Sequence, residues 1–319
     1  MHSVRVFQVD AFTSRRFSGN PAGVVLDAGA LSDPDMQGLA RELGSADTAF
    51  VLPPDGADHD LRVRFLTPRG EAAFIGHATL ALHAVLATLH EPPRPRQKHA
   101  GGIVQIDTIA GASPPRIAIH QGAPPPSALL DPRALSAVLD ALALTPAQLD
   151  PRCPPSIAGA GSRRLILALA EGSALAQVQP DMVRLTRLST QMDAAGVFLF
   201  TLRPAVSDVF TEARMFCPAL GIPEDPVSGN AHALLGAYLW QHGLIGQEDG
   251  QEDGQKDGQE DAPQSATLEF TGAQGHHLGR PGHVTVALSL SGSSLESVSI
   301  VGEAVVVFAT TLEFQAGAR

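Results

Sequence analysis

Two segments of the sequence place acidic or basic side chains next to a glycine that opens an apolar run. In the first, Gly76 and His77 begin the run GHATLALHA. In the second, Asp225 stands four residues before Gly229, in EDPVSGNAHALLG. A helix that begins at a glycine offers free backbone N–H groups and a partial positive charge that an anion can approach closely. Both segments therefore predict a place where a carboxylate could be held, or an enolate stabilised, without a metal.

A third acid, Asp47, lies between a predicted helix and a predicted strand in LGSADTAFV, with Ser45 and Thr48 as hydroxyl neighbours. Structural interpretations compete with the chemical ones. An aspartate in such a segment is more often a turn or capping residue, and a lone histidine such as His77 is more often packed or capping. A single glycine before a core helix also more often just opens a turn.

An internal repeat favours the functional interpretation of the two glycines over the structural one. Residues 64–68 (RFLTP) precede Gly76, and residues 214–218 (RMFCP) precede Gly229. Both copies indicate a strand, a loop, a glycine and the start of an apolar helix. Two copies are too few for a solenoid, so we interpret the repeat as a duplicated domain. A two-fold arrangement would bring the two helix starts face to face, which favours their functional interpretation.

Apolar periodicity gives the elements that would position these residues. Helices are predicted over 32–43 and 76–89, and a helix-rich stretch over 132–149. The prolines at 124–126 indicate a crossover between the two halves. Strands are predicted at 4–9, 23–26, 50–52, 61–66, 103–106 and 116–120.

Composition narrows the class of protein. The chain has 319 residues, of which 44% are hydrophobic, and this suits two packed domains. The net charge is −11, and residues 246–261 (GQED, GQED, GQKD, GQED) hold seven acids and one lysine. We predict that this repeat is a disordered surface loop outside catalysis, because it cannot bury apolar surface. A calcium-binding repeat is disfavoured, since the ligand spacing is absent.

The remaining surface predicts no partner beyond a small molecule. It has no basic face for nucleic acid or anionic lipid, and no segment has the profile of a signal peptide or a membrane span. Cys153 and Cys217 are the only cysteines, so neither a disulfide framework nor a zinc site is indicated. We predict a cytoplasmic protein that needs no metal and no cofactor.

The segments together resemble the phenazine-biosynthesis PhzF-like family nearly from end to end. The segments that carry the resemblance are VFQVDAFTSRRFSGNPAGVVL, ADTAFV, RFLTPRGEAAFIGHATLALHA, RMFCPALGIPEDPVSGNAHALLGAYL and QGHHLGRPGHVTV. The resemblance implies an α+β fold of the diaminopimelate-epimerase-like type. In that fold two pseudo-symmetric domains each wrap a curved, mostly antiparallel sheet around a central helix. We place these domains at 1–123 and 124–304, with a strand at about 305–319 packing back on the first. A homodimer is implied as well.

The same resemblance assigns roles to residues in the cleft between the domains. The family's catalytic carboxylate falls on Asp47, its site histidine on His77 and its site aspartate on Asp225. The predicted substrate-binding residues are Asn20, Ser45, Gly76, Gly229 and Asn230. Two departures from the family pattern stand out. Asp47 replaces the usual glutamate and is one methylene shorter, and Asn230 stands where a small hydroxyl residue is common.

The function implied is a cofactor-independent isomerase that moves a proton between carbons of a small carboxylate-bearing substrate. Asp47 would be the base, facing a wet cleft, so that its substitution would hardly change stability. The alternative is a slow or inactive family member that acts as a small-molecule-binding or protein-interaction module. A racemase with two catalytic thiols is disfavoured, because neither cysteine follows a helix-opening glycine. Phosphate-loop, dinucleotide-binding and serine-hydrolase motifs do not occur.

Overall fold

The computed structural model describes residues 2–45, 47–109, 111, 113–206, 208–246 and 266–314. The predicted loop 246–261 lies outside the described residues, apart from Gly246. The strands are β1 (His2–Ala11), β2 (Asn20–Leu26), β3 (Asp47–Leu52), β4 (Leu61–Thr67), β5 (Gly70–Ala72), β6 (Arg96–His99), β7 (Gly102–Ile109), β8 (Arg116–Gly122), β9 (Ala128–Leu129), β10 (Ser156–Ala158), β11 (Arg164–Leu169), β12 (Gly196–Thr201), β13 (Thr211–Cys217), β14 (Ile222–Asp225), β15 (Ala266–Gln274), β16 (Gly282–Ser291) and β17 (Ser294–Phe314). The helices are α1 (Asp33–Glu42), α2 (Gly76–Thr88), α3 (Pro132–Leu142), α4 (Gly172–Gln177), α5 (Met182–Gln191) and α6 (Gly229–Gln241).

The first repeat, β1 to β8, forms a sheet that β17 closes. β1 pairs antiparallel with β2, β2 parallel with β3, and β3 antiparallel with β4. β4 runs parallel to β6, and β7 and β8 follow as antiparallel neighbours. β17 then pairs with β8 through 297–303 and with β1 along 304–314. Helix α2 contacts strands all round this ring, so it lies inside the sheet.

The second repeat, β9 to β17, uses the same connections. β10 and β11 are antiparallel, β11 and β12 parallel, β12 and β13 antiparallel, and β13 and β15 parallel. β15, β16 and β17 continue as antiparallel neighbours, and α6 packs against β11, β16 and β17. The mixed α+β fold is thus confirmed. The division into two domains at residues 123 and 124 stays a prediction.

The predicted helices are found close to their expected bounds. α1 begins after Ser32, whose hydroxyl accepts from the backbone N–H of Asp35 in a capping box. α2 begins at Gly76 as predicted. The stretch 132–149 contains α3 and a short 3-10 helix at 146–148.

The central helix α2 is apolar on every side, which is the pattern of a helix surrounded by protein. Every residue from Ala78 to Leu86 is buried, whereas Gly76 and His77 are only partly buried. Both ends of α2 are thus less buried than its middle, and His77 lies at the N-terminal edge of the enclosed core. Among the described residues, no helix is both long enough and apolar enough to span a membrane.

Candidate active site

Asp47 and His77 meet at the start of α2. Asp47 is the first residue of β3, and its Oδ2 lies 3.3 Å from Nε2 of His77. The two side chains are only 9% and 11% exposed. The atoms are not aligned for a hydrogen bond, so this ring nitrogen has no partner among the described residues. An acid and an imidazole therefore lie side by side with spare hydrogen-bonding capacity.

Burial sets the titration of this pair. It raises the pKa of Asp47 to about 6, because the charged carboxylate loses its water. Burial lowers the pKa of His77, and the nearby carboxylate of Asp225 partly opposes that shift. Near neutral pH, Asp47 is then mostly ionised and His77 is neutral. A carboxylate whose pKa lies close to neutrality suits proton transfer. The expectation that Asp47 faces a wet cleft is wrong, since the residue is only 7% exposed.

Asp225 joins the pair from the second repeat, at the end of β14. Asn20, the first residue of β2, donates from Nδ2 to Oδ1 of Asp225 at 2.7 Å and to the backbone oxygen of Val227 at 2.8 Å. Burial raises the pKa of Asp225, while His77 and the Asn20 hydrogen bond lower it and Asp47 raises it further. The structure thus brings Asp47, His77 and Asp225 close enough to influence one another's charge. Oδ1 of the fully buried Asn20 has no protein partner among the described residues.

Two residues absent from the sequence-based site hold its loops in place. Gln274 donates from Nε2 to the backbone oxygen of Asp225 at 2.7 Å and accepts at 3.1 Å from the backbone N–H of Ser228. Arg280 donates to Oδ1 of Asp10 at 2.6 Å and to the backbone oxygens of Ser18 and Gly19, just before Asn20. Both residues belong to the long segment near the C-terminus that carried the resemblance, but no local pattern assigned them a role.

The two helix-opening glycines have different surroundings. A Cβ at Gly76 would meet nothing within 4 Å, and the preceding Ile75 gives α2 no side-chain cap. A Cβ at Gly229 would lie 2.8 Å from Cζ of Phe12, and Ser228 caps α6 by accepting from a backbone N–H. Packing therefore explains the glycine that opens α6 but not the one that opens α2. The side-chain position of Gly76 thus faces open space, and the first N–H groups of α2 have no side-chain cap.

Two of the predicted substrate-binding residues have other neighbours. The Ser45 hydroxyl donates to Oε1 of Gln8 at 2.9 Å and is buried. Asn230 lines a cavity of about 170 Å³ together with Gln121 and Ser162. Ser45 lies two residues before Asp47 in the chain, and Asn230 directly follows Gly229. The contacts described nevertheless do not join Ser45 or Asn230 to His77.

Neither cysteine has the properties of a catalytic thiol. Burial raises the pKa of Cys153 to about 12. Burial, followed by the charge of Asp225, also raises the pKa of Cys217. Because the thiolate is the reactive form, both residues are poor bases near neutral pH. Among the described residues, no group of three or more His, Cys, Asp or Glu side chains is placed to hold a metal ion.

Comparison with known proteins identifies the family. A family model described as phenazine biosynthesis-like protein (PhzC–PhzF) matches residues 9–310. The chain belongs to this family. It is 36% identical over 306 residues to the "uncharacterized isomerase YddE" of Salmonella typhimurium, covering 95% of this chain and 96% of that one. It is 33% identical over 309 residues to an "uncharacterized isomerase" of Clostridium acetobutylicum, covering 96% of this chain and 97% of that one.

Solved structures agree with this assignment to the PhzC–PhzF family. A PhzF-family phenazine biosynthesis protein of Bacillus anthracis superposes with a TM-score of 0.81 at 25% identity, covering 98% of this chain and 100% of that one. A hydroxyproline epimerase of Agrobacterium vitis superposes with a TM-score of 0.59 at 13% identity, covering 98% of this chain and 91% of that one. This is a likeness of fold alone. The resemblance drawn from the sequence is confirmed, and at the level of the family the comparisons support an isomerase.

Proposed function

We propose that the protein is a cofactor-independent isomerase that moves a proton between two carbons of a small carboxylate-bearing substrate. One observation carries the proposal: Asp47 and His77 form a buried pair beside Asp225, at a helix start that keeps its N–H groups free. Buried acids and bases with shifted pKa values, next to unpartnered polar atoms, are typical of proton-transfer sites.

In the first step, the Asp47 carboxylate accepts the proton of an acidic C–H bond. The electron pair of that bond moves into the adjacent unsaturated group of the substrate, which becomes enolate-like. The free N–H groups at Gly76 and His77, together with the helix dipole, stabilise the charge as it develops. In the second step, the protonated Asp47 returns its proton to a different carbon. The carboxylate is regenerated, and the substrate is isomerised without net oxidation or reduction.

His77 and Asp225 assist this proton transfer by hydrogen bonding. The neutral His77 offers Nε2 to a polar group of the substrate or to Asp47 itself. Asp225 has a raised pKa, so it can accept or donate a hydrogen bond according to the substrate group that faces it. Asn20 fixes the direction of the Asp225 carboxylate. A homodimer and a cytoplasmic location remain predictions.

The shorter acid at position 47 agrees with a closed site. Asp47 already lies 3.3 Å from His77 and is almost fully buried. A substrate would therefore have to come close to β3, where an aspartate can reach it. We infer that aspartate is the working base of this protein rather than a decayed form of the longer acid.

The test is to incubate the protein in deuterated water with a panel of cyclic and acyclic amino and hydroxy acids. We expect deuterium to enter at least one acid at a C–H position next to an unsaturated group, and the isomer to carry deuterium at a second carbon. Mass spectrometry and proton NMR would measure both. A panel in which no acid exchanges, although some bind, would instead favour the alternative of a binding module.

A further inference from the structure

Arg164, the first residue of β11, is a buried cation without a carboxylate. It is only 7% exposed. Its hydrogen bonds all come from one nitrogen, Nη1, which donates to the hydroxyl of Ser162 at 2.8 Å and to the backbone oxygens of Ser162 and Arg163 at 3.1 and 3.2 Å. Nε is buried and has no hydrogen-bond partner in the part of the chain that the structure describes. Among the described residues, no acidic side chain forms an ion pair with this guanidinium within 4.0 Å.

Such an arrangement is costly and is not how this chain buries arginine elsewhere. Arg214 is also mostly buried, but two of its nitrogens donate to Glu224 at 2.9 and 2.8 Å. Its third nitrogen donates to two backbone oxygens. A buried charge that has no carboxylate paired with it destabilises a protein strongly, and the guanidinium cannot lose its proton. The unpaired side of Arg164 therefore needs an explanation.

The strand register places Arg164 at the position of the second repeat that corresponds to Ala22, the residue opposite Asp47 in the first repeat. In the parallel ladder of β2 and β3, Ala22 lies opposite Asp47. In the matching ladder of β11 and β12, Arg164 lies opposite Gly196. The second repeat thus has a glycine where the first has its acid, and an arginine where the first has an alanine.

Alternation along β11 tells which way the side chain of Arg164 points. Ile166 and Ala168 belong to the core around α6, whereas Leu165 and Leu167 belong to a separate cluster outside it. Because side chains two residues apart share a face, Arg164 points inward, toward α6. Burial lowers the pKa of Arg164, and the charges of Cys217 and Asp225 partly oppose that shift. Burial raises the pKa of Asp225, and Arg164 in turn lowers it, as expected for neighbouring groups.

We propose that Arg164 binds the carboxylate of the substrate through Nε and Nη2. These two nitrogens present the parallel donors that form a bidentate pair with a carboxylate. Asp47 and His77 would then act on a C–H bond from the first repeat, while Arg164 holds the anion from the second. The inference rests on the proposed function for the identity of the anion, but the guanidinium and its free donors stand without it.

Binding can be measured apart from turnover, with benzoate and the neutral, equally shaped benzamide as probes. Isothermal titration calorimetry on the full chain should show benzoate binding at least about tenfold more tightly than benzamide. Arg164→Gln should abolish that preference, and Arg164→Lys should keep part of it because the charge remains. Arg203→Gln is the matched control, since Arg203 lies in the same repeat and its side chain is 65% exposed. It should bind like the wild type.

Stability separates this role from a structural one. If Arg164 only braces its loop, Arg164→Gln should lower the melting temperature and leave the preference for benzoate intact, and that result would overturn the proposal. If it binds substrate, the melting temperature without ligand should stay equal or rise. Wild-type protein that binds neither probe, or both equally, also overturns it. Arg164-dependent benzoate binding without deuterium exchange in any acid would instead refute the proposed isomerase and leave the anion site standing.

Discussion

The two repeats share a backbone plan but differ in the side chains at the start of their central helices. The first repeat has Asp47 beside an uncapped α2, and a glycine with open space in front of it. The second has Gly196 at the position of Asp47, a helix capped by Ser228, and a glycine packed against Phe12. The proposed base and the uncapped helix start thus belong to one repeat. The other contributes Asp225 and the cation of Arg164.

Both repeats contain the same kind of ion pair before their central helix. Arg64 on β4 pairs with Glu71 on β5, and Arg214 on β13 pairs with Glu224 on β14. The side chains are 26% and 39% exposed in the first pair but 10% each in the second. Both pairs tie a strand to the segment that leads into a central helix. The same contact is thus an exposed bridge in one repeat and a buried one in the other.

The largest expected effect concerns Asp47, the proposed base, which has no counterpart acid in the second repeat. Asp47→Asn keeps the shape but removes the proton acceptor, so deuterium exchange should fall by about 10²- to 10⁴-fold. Asp47→Glu should also lower it, because the extra methylene would crowd a residue already 3.3 Å from His77. Asp107→Asn, on an exposed strand position, is the control and should exchange at the wild-type rate. An Asp47→Glu protein faster than the wild type would show that aspartate is a decayed base.

The ion pairs should differ in their contribution to stability. Glu224→Gln leaves Arg214 buried and without its carboxylate, so the free energy of unfolding should fall by about 3–5 kcal/mol. Glu71→Gln should cost about 1 kcal/mol or less, because Arg64 is more exposed and also pairs with Asp33. Urea denaturation measures both. Equal losses in the two variants would contradict the contrast in burial.

The burial of Asp47 predicts a pH-dependent stability. Its folded-state pKa of about 6 lies above the ordinary 3.8, so the protonated form is favoured on folding. That contribution is fully present below pH 4 and is lost as the pH rises through 6. The side chain of Asp47→Asn is neutral at every pH, so the variant does not lose this contribution to stability. The free energy of unfolding of the variant should therefore rise relative to that of the wild type between pH 4.5 and pH 8, by up to about 3 kcal/mol. A difference that does not change with pH would mean that Asp47 is well solvated.

One added methyl group should lower stability at Gly229 but turnover at Gly76. Gly229→Ala forces Phe12 aside, which should lower the free energy of unfolding by about 1–3 kcal/mol. Gly76→Ala should change it by less than about 0.5 kcal/mol. The methyl group at 76 would instead occupy the space in front of the free N–H groups and lower turnover by about 10- to 100-fold. Melting curves and exchange rates of the two variants would decide. Unaltered turnover in Gly76→Ala would remove α2 from the site.

The smallest effect is expected from the connection after the central helix. The first repeat joins α2 to β6 through residues 89–95, whereas the second joins α6 to β15 through 242–265. Deleting 246–261 shortens the longer connection, and closing a loop depends only weakly on its length. We expect folding and exchange to change little. A melting temperature lowered by many degrees would show that the GQED repeat contributes contacts to the fold.

Local patterns predicted much of the first repeat. The bounds of α1 and α2 followed from apolar periodicity, and the duplicated glycine segments pointed to the site. The pairing of β17 with both β8 and β1 could not be predicted in this way, because such contacts join residues far apart in the chain and leave no periodic signal. The family resemblance, not the spacing, suggested that a strand near the C-terminus packs back.

The parts of the site that were missed are also long-range. Gln274 holds Asp225 across 49 residues, and Arg280 holds Asp10 across 270. Arg164 begins an ordinary strand segment, RLILAL, and becomes notable only when its burial and its free Nε are known. The burial of Asp47 depends on the enclosing sheet, so the sequence predicted the residue but not its environment.

The most direct test of Asp47 as the buried base is the pH profile of kcat/KM for deuterium exchange. For the free enzyme, the rate should rise with pH and reach half its plateau near pH 6, as Asp47 loses its proton. In Asp47→Asn this limb should disappear along with most of the activity. A rate that stays constant down to pH 4, or the same limb in Asp47→Asn, would contradict the account and assign the titration to another group.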